Sequence, residues 1–187
     1  MEISTFTFIK STTNIIRLSK GQHKPIESRR PLTICDATAP TTTTLICLSE
    51  VCEFDYQLYT FTYVTRNGSN SSLLQFNFRH DSMFWALDDV TVIDSVSFAT
   101  VNANSGFETI NSNGSWTVCN PSDSCFPGEI SSNYSRTGQY SYIDGAIGNP
   151  DYLVQQFPTI GGRLYFINFW LKNLGSGVNS ATITIGS

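Results

Sequence analysis

Two adjacent carboxylates, Asp88 and Asp89, interrupt the otherwise apolar run at residues 84–93. The apolar members are strand formers, and neighbours along a strand point to opposite faces of a sheet. We therefore expect Asp88 to share a face with Val90 and Asp89 to share the other face with Leu87. An ionised carboxylate among apolar neighbours needs a cation or several hydrogen-bond donors to offset its desolvation. The pair points to a bound ion or, alternatively, to an Asp88 that accepts backbone N–H bonds beside a solvated Asp89.

The sequence shows few features of a catalytic site. Carboxylates on opposite faces of a strand cannot flank one glycosidic bond as a hydrolase pair does. The two histidines, His23 and His80, have no recognisable nucleophile partner. The sequence contains no Gly-x-Ser-x-Gly elbow, and no glycine-rich phosphate loop follows a strand. We therefore predict that the protein is not an enzyme.

Five cysteines leave at least one thiol unpaired. Cys119 and Cys125 flank a turn-rich loop at residues 120–124, and this spacing predicts a small disulfide loop. Two free thiols are the alternative. The other three cysteines have neither a CxxC spacing nor a nearby histidine, which argues against zinc: Cys35, Cys47 and Cys52.

The composition is typical of an extracellular β domain. Charged residues make up 14% of the chain and aromatic residues 13%. A net charge of −4 argues against a nucleic-acid partner, and no apolar run is long enough to span a membrane. Residues 1–20 do not make a convincing signal peptide, which conflicts with the extracellular features. A truncated or misjoined gene is our preferred explanation for this conflict. Four Asn-x-Ser sequons are candidate glycosylation sites: Asn67, Asn70, Asn113 and Asn133.

Hydrophobic periodicity changes abruptly along the chain. Residues 1–54 show no sustained period and are predicted to be disordered or linker-like, with one short strand near residues 45–48. Alternating patterns then recur with Gly or Pro between them, at residues 59–63, 74–78, 85–92, 98–102, 107–108, 116–119, 139–143, 152–157, 164–171 and 181–185. This pattern predicts an all-β, antiparallel β-sandwich of about eight or nine strands.

Several of these segments resemble motifs of one family. They include an Asn-x-Gly-Phe-Glu opening (residues 104–108), Gly-x-Tyr-Ser (138–141), Tyr-Leu-x-Gln-x-Phe (152–157), a Phe-Trp-Leu strand (162–171), Phe-x-Phe-Arg-x-Asp (76–81) and Trp-x-Leu-Asp-Asp-Val (85–90). The chain is thus similar to galactose-binding-like jelly-roll modules, especially carbohydrate-binding modules of families four and nine and related extracellular tandem repeats.

The order of these motifs departs from the family pattern. Residues 55–94 resemble the closing half of one module, and residues 95–187 resemble the opening half of the next. Either each half lacks its partners and exposes long strand edges, or the two halves combine into one circularly permuted jelly-roll sandwich. We expect the permuted sandwich, because the termini of a module commonly lie close together. In that arrangement the strand of Asp88 and Asp89 should lie beside a strand that carries Phe107 and Glu108.

The resemblance implies a non-catalytic, secreted carbohydrate-binding module with a glycan or glycoprotein partner. It implies a structural calcium ion held by Glu108 and by Asp88 or Asp89. Trp170 and Asn168 share the polar face of their strand and are candidates for stacking on a sugar and reading its hydroxyls. Their candidate companions are Tyr140, Tyr142, Tyr152 and Gln156. The alternative is a structural or adhesive repeat unit without a small-molecule ligand, whose aromatic residues serve only packing.

Overall fold

The structure is a computed structural model that describes residues 34–36, 39, 41–110 and 115–187. A short 3-10 turn, Ile34–Asp36, precedes ten strands. The strands are β1 (Thr42–Ser49), β2 (Phe54–Val64), β3 (Ser71–His80), β4 (Trp85–Asp94), β5 (Thr117–Cys119), β6 (Glu129–Ser131), β7 (Ser141–Asp144), β8 (Asp151–Pro158), β9 (Leu164–Asn173) and β10 (Asn179–Gly186).

The ten strands form two five-stranded antiparallel sheets. Sheet A has the order β1-β10-β3-β8-β5, and sheet B has the order β2-β9-β4-β7-β6. The chain crosses from one sheet to the other at nearly every connection, and this order is that of a jelly roll with β5 and β6 added at the edges. The predicted all-β, antiparallel sandwich is confirmed.

Strict alternation of apolar and polar residues builds the core between the sheets. In β3, β9 and β10, every second side chain is buried, as expected for strands with one face towards a core. Aromatic side chains meet at the centre, where the Phe76 and Phe169 rings pack edge to face at 5.2 Å. The largest fully buried side chains include Trp85, Tyr142, Tyr165, Phe76, Phe78, Phe107 and Phe169.

The sandwich begins earlier in the sequence than predicted. β1 pairs with β10 at seven register positions, and it contains the short strand that was predicted near residues 45–48. The prediction of a linker is wrong for the rest of residues 42–54, which belong to the sandwich. The threonine-rich start of β1 favours a strand because β-branched residues suit a pleated surface, and β1 lies at the edge of sheet A. The predicted linker at residues 1–33 lies outside the described residues.

In each sheet, a strand from residues 55–94 lies between two strands from residues 95–187. β3 lies between β10 and β8, and β4 lies between β9 and β7. The two parts of the chain therefore build one sandwich. The specific expectation for β4 is wrong, because Phe107 and Glu108 lie outside the strands. The residues before them do run beside β4: the Ser105 carbonyl accepts the Val90 N–H at 2.8 Å, and Thr100 forms a bridge with Ile93.

Candidate functional site

A β-bulge in β4 controls the positions of Asp88 and Asp89. The pairing of β4 with β9 shifts register between Asp88 and Thr91, and Asp89 has a φ of 50°, in the left-handed region. Leu87 faces the core before the bulge and Val90 faces it afterwards. Because the inserted residue reverses the alternation, the predicted sharing of a face by Asp88 and Val90 is wrong.

Asp88 is fully buried and accepts backbone hydrogen bonds. Its Oδ1 accepts the Asp89 N–H at 2.7 Å. Its Oδ2 accepts the Arg136 N–H at 2.9 Å and the Thr137 N–H at 3.2 Å. Burial raises the pKa of Asp88, while these N–H bonds act in the opposite direction. The environment of Asp88 is therefore that of the alternative prediction, a carboxylate held by backbone donors.

Asp89 contacts the same two residues as Asp88. Its Oδ2 pairs with Arg136 Nη1 at 2.7 Å, and its Oδ1 accepts the Thr137 hydroxyl at 2.8 Å. The two carboxylates therefore converge on residues 136–137. The expectation that they point to opposite faces is wrong, and so is the alternative in which Asp89 is solvated without a protein partner.

Glu108 binds the next residues of that segment. Its Oε1 accepts the Gln139 N–H at 2.9 Å and the Tyr140 N–H at 3.1 Å. Gly138 has a φ of +63°, and a side chain there would overlap the Glu108 carboxylate. Asp88, Asp89 and Glu108, which we call the acidic cluster, thus all bind residues 136–140.

The acidic cluster does not fit a calcium ion in this arrangement. Calcium takes six to eight oxygen ligands, whereas the carboxylates of the cluster accept N–H and O–H bonds and pair with the Arg136 guanidinium. In the part of the chain that the structure describes, there is no group of three or more His, Cys, Asp or Glu side chains placed to hold a metal. The predicted calcium ligands do come together, but around a loop rather than around a cavity. Calcium binding here stays a prediction.

Trp170 is half-buried on the outer face of sheet B and is covered by an arginine. The Arg136 guanidinium carbon lies 3.5 Å from the centroid of the Trp170 ring, which is a cation–π contact. Trp170 is also the register partner of Asp88 across β4 and β9. The ring face that would stack on a sugar is therefore occupied by the loop that the acidic cluster holds.

The six residues predicted to bind glycan do not form one site. Tyr142 is fully buried, and Tyr140 packs against the core. The other four lie on opposite outer faces of the sandwich: Trp170 and Asn168 on sheet B, and Tyr152 and Gln156 on sheet A.

A cavity of about 260 Å³ opens on the outer face of sheet A. Its floor carries two carboxamides: Gln75 Nε2 donates to Asn77 Oδ1 at 2.6 Å, and Asn77 Nδ2 donates to the Thr182 carbonyl at 2.8 Å. Two predicted glycan ligands lie on the neighbouring strand β8, where Tyr152 is the register partner of Asn77 and Gln156 is that of Leu73. We call it the sheet A cavity; it is lined by Ala39, Thr42, Leu73, Gln75, Asn77, Thr184 and Gly186.

The sheet A cavity was not predicted from the sequence. The available signal was the outward polar set of β3, where Gln75 and Asn77 alternate with buried Leu74, Phe76 and Phe78. That pattern predicts a solvent-exposed polar face, but it does not predict that the face is concave. The concavity depends on Ala39 and Thr42, which lie in a segment that was predicted to be a linker.

The disulfide joins Cys35 to Cys119, with Cα atoms 5.6 Å apart. The predicted Cys119–Cys125 bridge is wrong, and Cys125 is an exposed free thiol. Proximity in sequence suggested the wrong partner because the turn Ile34–Asp36 packs beside β5, although 84 positions separate the two bonded cysteines.

Three of the four sequon asparagines are solvent-exposed in this structure: Asn67, Asn70 and Asn133. The fourth, Asn113, lies outside the described residues. Glycosylation at these positions stays a prediction.

Among the residues that the structure describes, no helix is long and apolar enough to cross a membrane. Comparison of the chain with protein-family models, with curated proteins and with solved structures found no match.

Proposed function

We propose that this chain is a non-catalytic, extracellular carbohydrate-binding-like module that takes a neutral glycan in the sheet A cavity. The observation that carries the proposal is the pairing of a concave site with fixed carboxamides. Sugar-sized ligands bind in concave sites where a few well-placed polar groups fix their orientation. The cavity has about 260 Å³ of space, and none of the described side chains that line it is charged.

The chemistry of the lining supports a polyhydroxylated ligand. Gln75 and Asn77 are held in place by their own hydrogen bonds, so they lose little freedom on binding. Each carboxamide keeps unused donor or acceptor capacity. Leu73 offers apolar contact, and the half-buried Tyr152 offers an aromatic surface on the neighbouring strand, opposite Asn77.

An extracellular location is compatible with two features of the structure. The Cys35–Cys119 disulfide is typical of proteins from oxidising compartments. The exposed sequons at Asn67, Asn70 and Asn133 would accept glycans there.

The test is a glycan array followed by calorimetry on the ligands that bind. We expect Gln75→Ala to weaken binding at least about tenfold, because a polar contact to a sugar is worth about 1.4 kcal/mol or more. The matched control is Asn168→Ala, which removes a carboxamide from the outer face of sheet B. Loss of binding in the control but not in Gln75→Ala would move the site to sheet B. Absence of binding to any glycan would refute the proposal.

A structural or adhesive repeat unit is the second candidate, and the covered Trp170 favours it. An aromatic ring that serves packing is expected to be held by neighbours, as Arg136 holds Trp170 at 3.5 Å. Trp170→Ala tests the packing role, because Trp170 lies on sheet B and outside the sheet A cavity. The proposed site predicts unchanged glycan binding in this variant, whereas loss of binding with an intact fold would move the site to Trp170. A loss of stability without any glycan partner would favour the structural role.

A further inference from the structure

A second pair of carboxyl groups lies inside the sandwich, apart from the acidic cluster. Asp144 ends β7 and Asp151 begins β8, and the two residues are 1% and 0% exposed. None of the ion pairs among the described residues includes either of them. Two ionised carboxylates in such a place would be strongly destabilising.

The hydrogen-bond donors around the pair satisfy three of its four oxygens. Gly128 N–H donates to Asp151 Oδ2 at 2.9 Å, and the Tyr142 hydroxyl donates to Asp144 Oδ2 at 2.9 Å. Ala146 N–H donates to Asp144 Oδ1 at 3.0 Å. Asp151 Oδ1 is buried and has no hydrogen-bond partner among the described residues. One donor is therefore missing from an otherwise complete set.

We propose that Asp144 and Asp151 share a single proton. This proton keeps the segment at residues 120–128 closed, and the segment opens when the proton is lost at higher pH. The proton makes one carboxyl group a donor to the other, which supplies the missing bond to Asp151 Oδ1. It also reduces the buried charge from two to one.

A proton suits the pair better than a metal ion does. A calcium ion needs six to eight oxygen ligands, and three of the four carboxylate oxygens here already face N–H or O–H donors. Space is also lacking, since a side chain at Gly128 would overlap the Tyr142 hydroxyl and come within 2.7 Å of Asp144 Oδ2.

The segment at residues 120–128 connects β5 of sheet A to β6 of sheet B and is tied to the loop between β7 and β8. The Ser124 hydroxyl donates to the Asn149 carbonyl at 2.8 Å, and Ile147 N–H donates to the Cys125 carbonyl at 3.3 Å. The third tie is the Gly128 bond to Asp151. Loss of the shared proton places two like charges beside this last tie, so the segment should open as the pH rises.

Other titratable groups also lie near the pair. Tyr142 lies on the same strand as Asp144, while His80 and Asp81 at the end of β3 contact the loop through the Ala146 carbonyl and the Gly148 N–H.

Burial, together with the neighbouring Asp151, raises the pKa of Asp144 to about 9. Asp144 therefore holds a proton in the fold that it loses when unfolded at neutral pH. The stability contributed by this proton is complete below about pH 4 and is lost progressively as the pH rises to about 9.

The experiment measures urea unfolding of the full chain from pH 5 to pH 9, with Asp144→Asn as the variant. The asparagine keeps the shape and can donate to Asp151, but it does not titrate. We expect the folding constant of the wild type to fall, relative to that of the variant, by up to about tenfold for each pH unit. The matched control is Asp81→Asn: the pKa of Asp81 is lowered to about 2 by its bonds to Arg79 and Gly148, so the control should follow the wild type.

Infrared spectroscopy supplies a readout that does not depend on stability. The wild type at pH 7 should show the C=O band of a buried carboxylic acid, and Asp144→Asn should lose it. If Asp144→Asn does not fold, Asp151→Asn replaces it, since it removes the other half of the pair. The absence of the band, or equal pH slopes in wild type and variant, would overturn the proposal. So would stabilisation by Ca²⁺ that the variant abolishes, because a cation would then occupy the pair.

Discussion

Asp88 and Asp144 are both buried carboxyl groups, yet the donors around them differ. Asp88 accepts three backbone N–H bonds and lies beside the Asp89–Arg136 ion pair. Asp144 has one backbone donor, one hydroxyl and a second carboxyl group as its neighbours. The three N–H donors therefore allow Asp88 to carry its charge, whereas Asp144 has fewer donors and needs a proton. The sequence shows two adjacent carboxylates in β4 but cannot show all the donors that meet them, because the Arg136 and Thr137 N–H groups come from a loop 48 and 49 positions away from Asp88.

Replacing the buried carboxylate of the acidic cluster should cost much more than replacing its exposed neighbour. In Asp88→Asn an amide NH₂ faces backbone N–H groups that need an acceptor, and we expect a loss of about 2 kcal/mol in the free energy of unfolding. In Asp89→Asn the loss should be no more than about 1 kcal/mol, because its side chain is 28% exposed and the pair is screened by solvent. Urea denaturation of both variants checks this. Equal losses would show that the donors seen at Asp88 contribute little.

Calcium should have little effect on stability if the N–H donors hold the acidic cluster. The Arg136 guanidinium already neutralises Asp89 at 2.7 Å, and binding of calcium would have to displace it. We expect the melting temperature to be the same in excess EDTA and in millimolar Ca²⁺. An increase of several degrees with Ca²⁺, absent in a Glu108→Gln variant, would instead support the calcium site that the family resemblance implies.

The strands were largely predictable at the scale of elements, whereas the turns and bulges were not. Strict alternation located β3, β9 and β10, since a buried face needs an apolar residue at every second position. The predicted strand at residues 98–102 is reduced to one bridge, between Thr100 and Ile93. β6 was missed because three residues carry too short a pattern. The bulge at Asp89 escaped prediction because a single inserted residue leaves no mark on composition.

The Cys35–Cys119 bridge should make the segment before β1 a stabilising part of the sandwich. We expect Cys119→Ser to lower the free energy of unfolding by about 2–4 kcal/mol, as is typical for loss of a native disulfide. Cys125→Ser, the matched control, should change it little because that thiol is exposed and free. Alkylation of the denatured, non-reduced protein followed by mass spectrometry should label Cys47, Cys52 and Cys125. Labelling of Cys35 in place of Cys125 would contradict the pairing.

At the scale of the whole molecule, the two parts of the chain depend on each other for hydrogen bonds. Sheet A would lose the strand between β10 and β8 without residues 55–94, and sheet B would lose the strand between β9 and β7. Unpaired edges of this length expose backbone groups and invite aggregation. The resemblance to two half-modules is therefore compatible with a stable fold only because the halves share both sheets.

Cutting the chain after Asp94 should leave two fragments that cannot fold alone. The cut falls in the turn between β4 and residue 99, so it breaks no strand but separates β3 and β4 from their neighbours in both sheets. We expect fragments 1–94 and 95–187 to show no cooperative unfolding separately. When the fragments are mixed under oxidising conditions, which restore the Cys35–Cys119 bond, we expect them to recover a β-sheet circular dichroism spectrum. Cooperative folding of fragment 95–187 alone would show that the opening half is an independent domain, and it would contradict the single sandwich with interleaved strands.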